Sequence, residues 1–143
     1  MKRLDLLGVD ISRGLHYSNG DEEFYITLLM QYVKESHEKK RIMNETLASG
    51  DLKNYSVQAH SIKSTSKMIG AMKLSEDAKA LEEAAKRGET DFINEKQEAM
   101  VAEYDLILKA IDPEYAESED DTPDDEIFEF SPDGQSAEGG DAL

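Results

Sequence analysis

Apolar and polar residues alternate at helical spacing through the middle of the chain. One series, mostly apolar, advances in steps of three or four residues: Leu52, Tyr55, Ala59, Ile62, Ser66 and Ile69. This spacing predicts a helix with one buried seam. A second series has the same period, is polar throughout and lies on another face: Lys53, Ser56, His60, Lys63 and Lys67. The pattern therefore predicts that His60 points to solvent from the middle of this helix.

Three further amphipathic segments flank the helix of His60. The first is predicted over about residues 21–49, as one long or kinked helix with a polar stretch over residues 36–41 and Asp21 as N-cap. Its apolar side consists of Phe24, Leu28, Leu29, Tyr32 and Val33. The segment after the His60 helix ends near Gly88 and has its seam at Leu74, Ala78, Leu81 and Ala85. The last follows Thr90 as a candidate N-cap and has its seam at Ile93, Met100, Tyr104, Ile107 and Ile111.

Short connections between these segments predict an all-α fold, an antiparallel up-down four-helix bundle. The predicted helix boundaries coincide with Gly20, Gly50, Gly70 and Gly88. Asp51 is the predicted N-cap of the His60 helix. Residues 4–15 are predicted to form a short extra helix or turn packed across one end of the bundle.

Charge is distributed unevenly along the 143 residues. Residues 1–111 hold all 16 Lys and Arg and 19 of the 32 Asp and Glu, whereas residues 112–143 hold 13 acidic residues and no basic one. All three prolines also lie after residue 111. These shifts predict one bundle domain over residues 1–111 and an acidic tail or linker over residues 112–143, with a composition typical of disorder. The apolar cluster at residues 127–130 suits a docking motif, a clasp on the bundle or a plain linker.

Composition and spacing disfavour several classes of function. Nucleic-acid binding needs cationic side chains to replace phosphate counterions, and this chain, at net charge −16, has no basic domain. No apolar run approaches the roughly 20 residues of a membrane span or resembles a signal peptide. The three histidines lack metal-binding spacing, and there is no glycine-rich phosphate loop. We therefore expect a cytoplasmic protein without nucleic-acid or membrane partners, metal or cofactor, in which His16 and His37 are ordinary surface residues. We also expect it to be a monomer.

Residues 59–71 carry the motif of a known family. The run begins Ala59-His60-Ser61-Ile62-Lys63-Ser64 and closes with Ile69-Gly70-Ala71. It resembles the histidine-containing phosphotransfer (HPt) domains of bacterial multistep phosphorelays, whose pattern is Ala-His-x-Leu/Ile-Lys-Gly/Ser, a few small residues, then Leu/Ile-Gly-Ala. A similar lead-in over residues 7–29 and the downstream pair Leu81-Glu82 extend the resemblance to about residues 4–111.

The resemblance implies a phosphorelay intermediate. His60 would accept a phosphoryl group from the aspartate of a receiver domain and pass it to another receiver, with no catalytic machinery of its own and with Mg²⁺ supplied by the receiver. Ser64 holds a position where the family requires a small residue. Glu82 holds one whose side chain often accepts a hydrogen bond from Nδ1 of the imidazole, which leaves Nε2 free. Lys63 and Lys67, interpreted as surface residues one and two turns after His60, are expected to meet the phosphoryl oxygens or the acidic pocket of the partner.

The implied partners are response-regulator receiver domains and a histidine kinase. Receiver docking is expected over the first and second helices, on an apolar patch that includes Val57 and Met68 and is rimmed by lysines. Either a stand-alone protein or a domain of a hybrid kinase fits the sequence.

Three alternatives stay open. The phosphoacceptor domain of a chemotaxis-type histidine kinase has the same bundle, His-x-x-Lys spacing and downstream glutamate, and is phosphorylated by an ATP-binding domain. A purely structural helical adaptor leaves the registration of His60 unexplained. Glu82 is alternatively a solvated residue paired with Lys79 or Lys86.

Overall fold

The computed structural model describes Leu4 and residues 7–115. This part of the chain contains no strand and five helices: α1 (Ile11–Tyr17), α2 (Glu22–Ser49), α3 (Leu52–Ile69), α4 (Met72–Lys86) and α5 (Thr90–Ile111). Helices α2 to α5 form an antiparallel bundle, and α1 is the short extra helix at its N-terminal side. The predicted all-α, four-helix architecture is confirmed.

Helix boundaries fall where local capping chemistry favours them. Asp21 and Asp51 each accept a hydrogen bond from the backbone N–H three residues later, at 3.1 and 3.2 Å, so α2 and α3 begin with the predicted caps. Both helices end at glycines in the left-handed conformation, Gly50 and Gly70. The prediction that Thr90 caps the last helix is wrong, because Thr90 is the first residue of α5 and no side chain caps that end.

The predicted seam of α3 lies in the core. Its buried members are Tyr55, Ala59, Ile62, Ser66 and Ile69, while Leu52 is half-buried at the start of the helix. Ser66 is accommodated there because its hydroxyl lies 2.6 Å from the hydroxyl of Tyr32 on α2. The predicted seam residues of α4 and α5 are buried against the same core, with Ile111 partly so.

The buried face of α2 agrees with the predicted one at Leu29 and Tyr32, which are buried, and at Leu28 and Val33, which are partly buried, but differs at Phe24. Phe24 is 48 % exposed, and its neighbour Tyr25 is buried instead, with its hydroxyl donating to the carbonyl oxygen of Ile69 at 2.8 Å. The buried positions then continue at helical spacing through Leu29, Tyr32, Ser36, Lys40 and Met43. Phe24 lies about 100° around the helix from Tyr25 and so misses this seam. The seam also crosses residues 36–41, the stretch that the sequence marks as polar.

Helix α1 packs closely against the start of α2 and the end of α3. The N–H of Asp10 donates to the carbonyl oxygen of Gly70 at 2.8 Å. Gly70 has φ of 95°, and a Cβ atom there would overlap the Asp10 carbonyl group. A Cβ atom at Gly14 of α1 would likewise overlap the ring of Tyr25. Both positions therefore require glycine for α1 to approach this closely.

Packing continues past the end of α5. The ring of Tyr115 is buried and stacks on His37 of α2, with ring centroids 4.8 Å apart and an interplanar angle of 13°. Lys40, also buried, donates to Asp105 and to the hydroxyl of Tyr115. Packing contacts thus extend to Tyr115, four residues beyond the predicted boundary at 111, and His37 is half-buried rather than an ordinary surface residue. Residues 116–143, with the apolar cluster 127–130, lie outside the described residues.

Candidate functional site

His60 lies near the middle of α3, and its side chain is 56 % exposed. The seam residues Ala59 and Ile62 beside it are fully buried, so the ring projects from a well-packed part of the helix. The prediction that His60 faces solvent is confirmed. The rest of the polar face follows the prediction in part: Lys67 is exposed, but Ser56 is buried and its hydroxyl donates to a backbone carbonyl three residues earlier.

A buried carboxylate on the next helix faces the His60 ring. Glu82 follows the core residue Leu81 on α4, and its side chain is only 6 % exposed. Its Oε2 lies 3.0 Å from Nδ1 of His60. The register of the two helices is fixed nearby, where the hydroxyl of Ser75 donates to the backbone carbonyl of Lys63 at 2.8 Å. The site is therefore built by α3 and α4, which are adjacent in sequence.

Two lysines pair with the same carboxylate. Nζ of Lys63 lies 3.0 Å from Oε1, and Nζ of Lys86 lies 3.1 Å from Oε2. The interpretation of Glu82 as a solvated residue is wrong because the carboxylate is buried, although the pairing with Lys86 is present. Lys63 also differs from its prediction as a surface lysine, since it is half-buried and its ammonium group pairs with Glu82.

These contacts fix the charge of Glu82 and the tautomer of the neutral histidine ring. Burial alone would raise the pKa of Glu82, but contacts with Lys63, Lys86 and His60 outweigh it and lower the pKa to about 2. An ionised carboxylate only accepts hydrogen bonds. The hydrogen of the neutral His60 ring therefore lies on Nδ1, towards Glu82, and the lone pair lies on Nε2. Nε2 is the ring atom available as a nucleophile.

The other two predicted site residues follow His60 on α3, one and two turns further along the helix. Ser64 is half-buried one turn after His60, and its small side chain leaves the imidazole uncovered. Lys67 is exposed in the last turn of α3. Of the five residues predicted for the site, three thus form one contact cluster, and Ser64 and Lys67 lie beside it.

Lys86 belongs to that cluster, yet the sequence suggested it only as a partner in the alternative interpretation of Glu82. Its signal is the i,i+4 spacing from Glu82, which favours an ion pair on one helix face. The buried set of Lys40, Asp105 and Tyr115 had no such signal, because 65 residues separate Lys40 from Asp105.

A groove lies between α2 and α3, and its α3 side is formed by Val57, Gln58 and Ser61, the last of which is next to His60 in sequence. Val57, which is 53 % exposed, lies in this groove, and the half-buried Met68 lines a hollow further along the same two helices. The charged residues of α2 that border the groove are Lys34, Glu35, Glu38 and Lys39. The two predicted apolar residues therefore lie on this face, and its rim carries charges of both signs rather than lysines alone.

Among the described residues, no group of three or more His, Cys, Asp or Glu side chains is arranged to hold a metal ion. In the same part of the chain, no helix has both the length and the apolar composition needed to cross a membrane. His16 is exposed on α1, as predicted.

The chain matches a protein family over more than half of its length. A family model described as Hpt domain matches residues 27–112, which are 86 of the 143 residues. The match runs from the second turn of α2 through α5 and includes His60, Glu82 and both lysines that pair with Glu82. No curated protein and no solved structure matches the chain.

Proposed function

Because the chain belongs to the Hpt domain family, the phosphotransfer modules of two-component signalling, we propose that it is a phosphorelay intermediate that carries the phosphoryl group on His60. In this proposal His60 accepts the group from the aspartate of one receiver domain and passes it to another receiver. The observation that supports it most is the exposed His60 ring whose Nδ1 is held by the buried, ionised Glu82.

The transfer needs no proton movement at His60. The lone pair of Nε2 attacks the phosphorus of the aspartyl phosphate, the N–P bond forms as the P–O bond to the aspartate breaks, and the electron pair leaves with the aspartate carboxylate. The hydrogen stays on Nδ1 throughout. The positive charge that the ring gains lies opposite the Glu82 carboxylate, which stabilises it. Onward transfer reverses these events on the second receiver.

The remaining site residues have supporting roles in this proposal. Lys67, exposed on the face of His60, attracts the phosphoryl oxygens or the acidic pocket of the receiver. Lys63 holds Glu82 in place, and Ser64 leaves room for the incoming aspartate. In this proposal the receiver supplies Mg²⁺, and the chain itself contributes neither metal nor cofactor.

The receiver would dock over α2 and α3, around His60. Its contact surface includes Val57 and Met68, and the charged groups of α2 lie at the rim. An interface of this kind is small and transient. A histidine kinase is the expected source of phosphoryl groups upstream of the first receiver.

The test is transfer of labelled phosphoryl from an isolated receiver domain to the purified chain. His60→Gln is expected to abolish labelling while leaving the helical content unchanged, since the side-chain amide of glutamine can still donate a hydrogen bond to Glu82. His16→Gln, at an exposed histidine of α1, is the matched control and should be labelled normally. The label should be acid-labile and alkali-stable, as a phosphoramidate is. Labelling of the His60→Gln chain would contradict the proposal.

The contact between Glu82 and His60 is equally compatible with the phosphoacceptor domain of a chemotaxis-type histidine kinase. The donor would then be ATP, transferred by a separate kinase domain rather than by a receiver aspartate. Incubating the chain with ATP and such a kinase domain, in the absence of any receiver, distinguishes the two functions.

A further inference from the structure

One oxygen of Glu82 has two partners. Oε2 lies 3.0 Å from Nδ1 of His60 and 3.1 Å from Nζ of Lys86, while Lys63 contacts the other oxygen at 3.0 Å. The single negative charge of the carboxylate is thus already paired with two ammonium groups when the ring is neutral. A positive charge that develops on the ring is therefore stabilised less by Glu82 than it would be if the two ammonium groups were absent.

We infer that Lys86 is a positioning residue that weakens the hold of Glu82 on a positively charged His60 ring and so keeps the phosphoryl group transferable. The inference rests on the function proposed above. A phosphoryl group on Nε2 leaves the ring positive, because Nδ1 retains its hydrogen. The carboxylate stabilises that positive ring, and Lys86 offsets part of this stabilisation. Without the offset, the phosphorylated form is favoured and onward transfer is less complete.

Lys86 acts at the end of the ring that does not react. It contacts the oxygen beside Nδ1, whereas the phosphoryl group attaches to Nε2, on the far side of the ring from Glu82. Its charge therefore affects the ring more than it affects the phosphoryl oxygens. Lys63 contacts the other oxygen of the carboxylate, Oε1, which is not the oxygen beside Nδ1.

Other charges around the ring do not replace this effect. The charged groups closest to His60 along α3 are Lys63 and Lys67, and those that meet them from α4 are Glu82 and Lys86. On α2, the groove next to α3 is bordered by Lys34, Glu35, Glu38 and Lys39, which carry two charges of each sign; Glu35 and Lys39 pair at 3.0 Å, so the net charge of the four is zero. The net electrostatic effect on the His60 ring therefore comes mainly from the charged residues of α3 and α4.

The first measurement is an NMR titration of the His60 imidazole in the full chain, without any phosphoryl donor. A proton on the ring produces the same positive charge next to Glu82, so Lys86→Gln should shift the pH profile of the imidazole upwards. Because the Lys86 side chain is 63 % exposed, the dielectric is close to that of water, and removing a charge about 6 Å from the ring should strengthen proton binding about threefold. Lys79→Gln is the matched control, because it removes an exposed lysine of the same helix that is not one of the two paired with Glu82.

The second measurement is the equilibrium between the phosphorylated chain and a phosphorylated receiver. Lys86→Gln should raise the ratio of the former to the latter by a similar factor, and Lys79→Gln should leave it unchanged. In a Glu82→Gln background the effect of Lys86→Gln should largely disappear, since no carboxylate then holds the ammonium group beside the ring.

An unchanged pH profile in Lys86→Gln, an equal shift in Lys79→Gln, or an equilibrium that moves towards the receiver would each overturn the inference. If the wild-type chain accepts no phosphoryl group at all, the proposed function fails and the transfer role of Lys86 fails with it. The pH profile then still decides whether Lys86 acts on the ring, so the two failures are distinguishable.

Discussion

Glu82 is both buried and ionised, a combination that proteins tolerate only where other groups compensate the charge. Its compensation comes from both helices of the site: Lys63 and His60 on α3, and Lys86 on α4. The same contacts that keep the carboxylate ionised also orient the histidine ring. At the residue scale, stability and the proposed chemistry therefore depend on one side chain.

Glu82 is expected to make the stability of the chain depend on pH. Its pKa of about 2 in the folded chain lies below the ordinary value of 4.5. Its contribution is therefore fully present above pH 4.5 and is lost as the pH falls towards 2. At about 1.4 kcal/mol per pKa unit, the contribution is about 3–4 kcal/mol. Urea unfolding should show a difference between wild type and Glu82→Gln that is largest at neutral pH and shrinks in acid.

The exposed neighbour Glu83 provides the control for this experiment. Glu83→Gln carries the same change of charge on α4 but should alter stability by no more than about 0.5 kcal/mol at any pH. A difference between wild type and Glu82→Gln that stays constant from neutral pH into acid would show that Glu82 is not the ionised, paired group described here.

At the scale of elements, the two glycines that end α2 and α3 allow the cost of backbone strain to be measured apart from the cost of a steric overlap. Gly50 has φ of 78° and open space at its Cβ position, whereas Gly70 has φ of 95° and the Asp10 carbonyl group at that position. Gly50→Ala should cost about 1 kcal/mol of stability through strain alone. Gly70→Ala should cost roughly 3 kcal/mol, since α1 must also move. Equal losses in urea unfolding would mean that α1 is not seated against Gly70.

The four helices were predictable because each carries a seam with a regular period, and the caps at Asp21 and Asp51 are local signals. The face of α2 was predictable except at its start, where Tyr25 rather than Phe24 is buried. Which of two adjacent aromatic residues enters the core depends on a carbonyl group at the end of α3, which Tyr25 reaches and Phe24 does not. Lys40 interrupts the apolar pattern in the sequence, yet it lies in the seam because Asp105 and Tyr115 meet it there.

The candidate site was predictable to a similar degree and for similar reasons. Periodicity alone predicts an exposed His60, and that holds. Periodicity gives Glu82 no partner beyond its own helix, so its contact with His60 was expected only from the family resemblance. The pairing of Lys63 with Glu82 was missed, because it depends on how α3 and α4 lie side by side.

At the scale of the whole molecule, Tyr115 closes the bundle between α2 and α5. Burial alone would lower the pKa of Lys40, but hydrogen bonds to Asp105 and Tyr115 raise the pKa, so a charged ammonium group lies in this closure. A chain ending at residue 111 loses the Tyr115 contacts, and one ending at residue 115 keeps them. The shorter chain should be less stable by about 1–3 kcal/mol in urea unfolding.

A point substitution in the chain ending at residue 115 shows which part of Tyr115 matters. Tyr115→Phe retains a ring to stack on His37 but removes the hydroxyl that Lys40 contacts, so about 1 kcal/mol should be lost. If the chains ending at 111 and 115 unfold at the same urea concentration, Tyr115 does not belong to the cooperative unit.

The partners in the site are close along the chain as well as in space. His60 and Glu82 are 22 residues apart within the α3–α4 hairpin, whereas Lys40 and Asp105 are 65 residues apart. Closing the shorter loop costs less chain entropy, and contacts of short sequence separation favour rapid folding. We therefore expect the ring and its carboxylate to meet early in folding and to stay together when α2 and α5 open transiently. Slower amide exchange in α3 and α4 than in α5 would be the signature of this order.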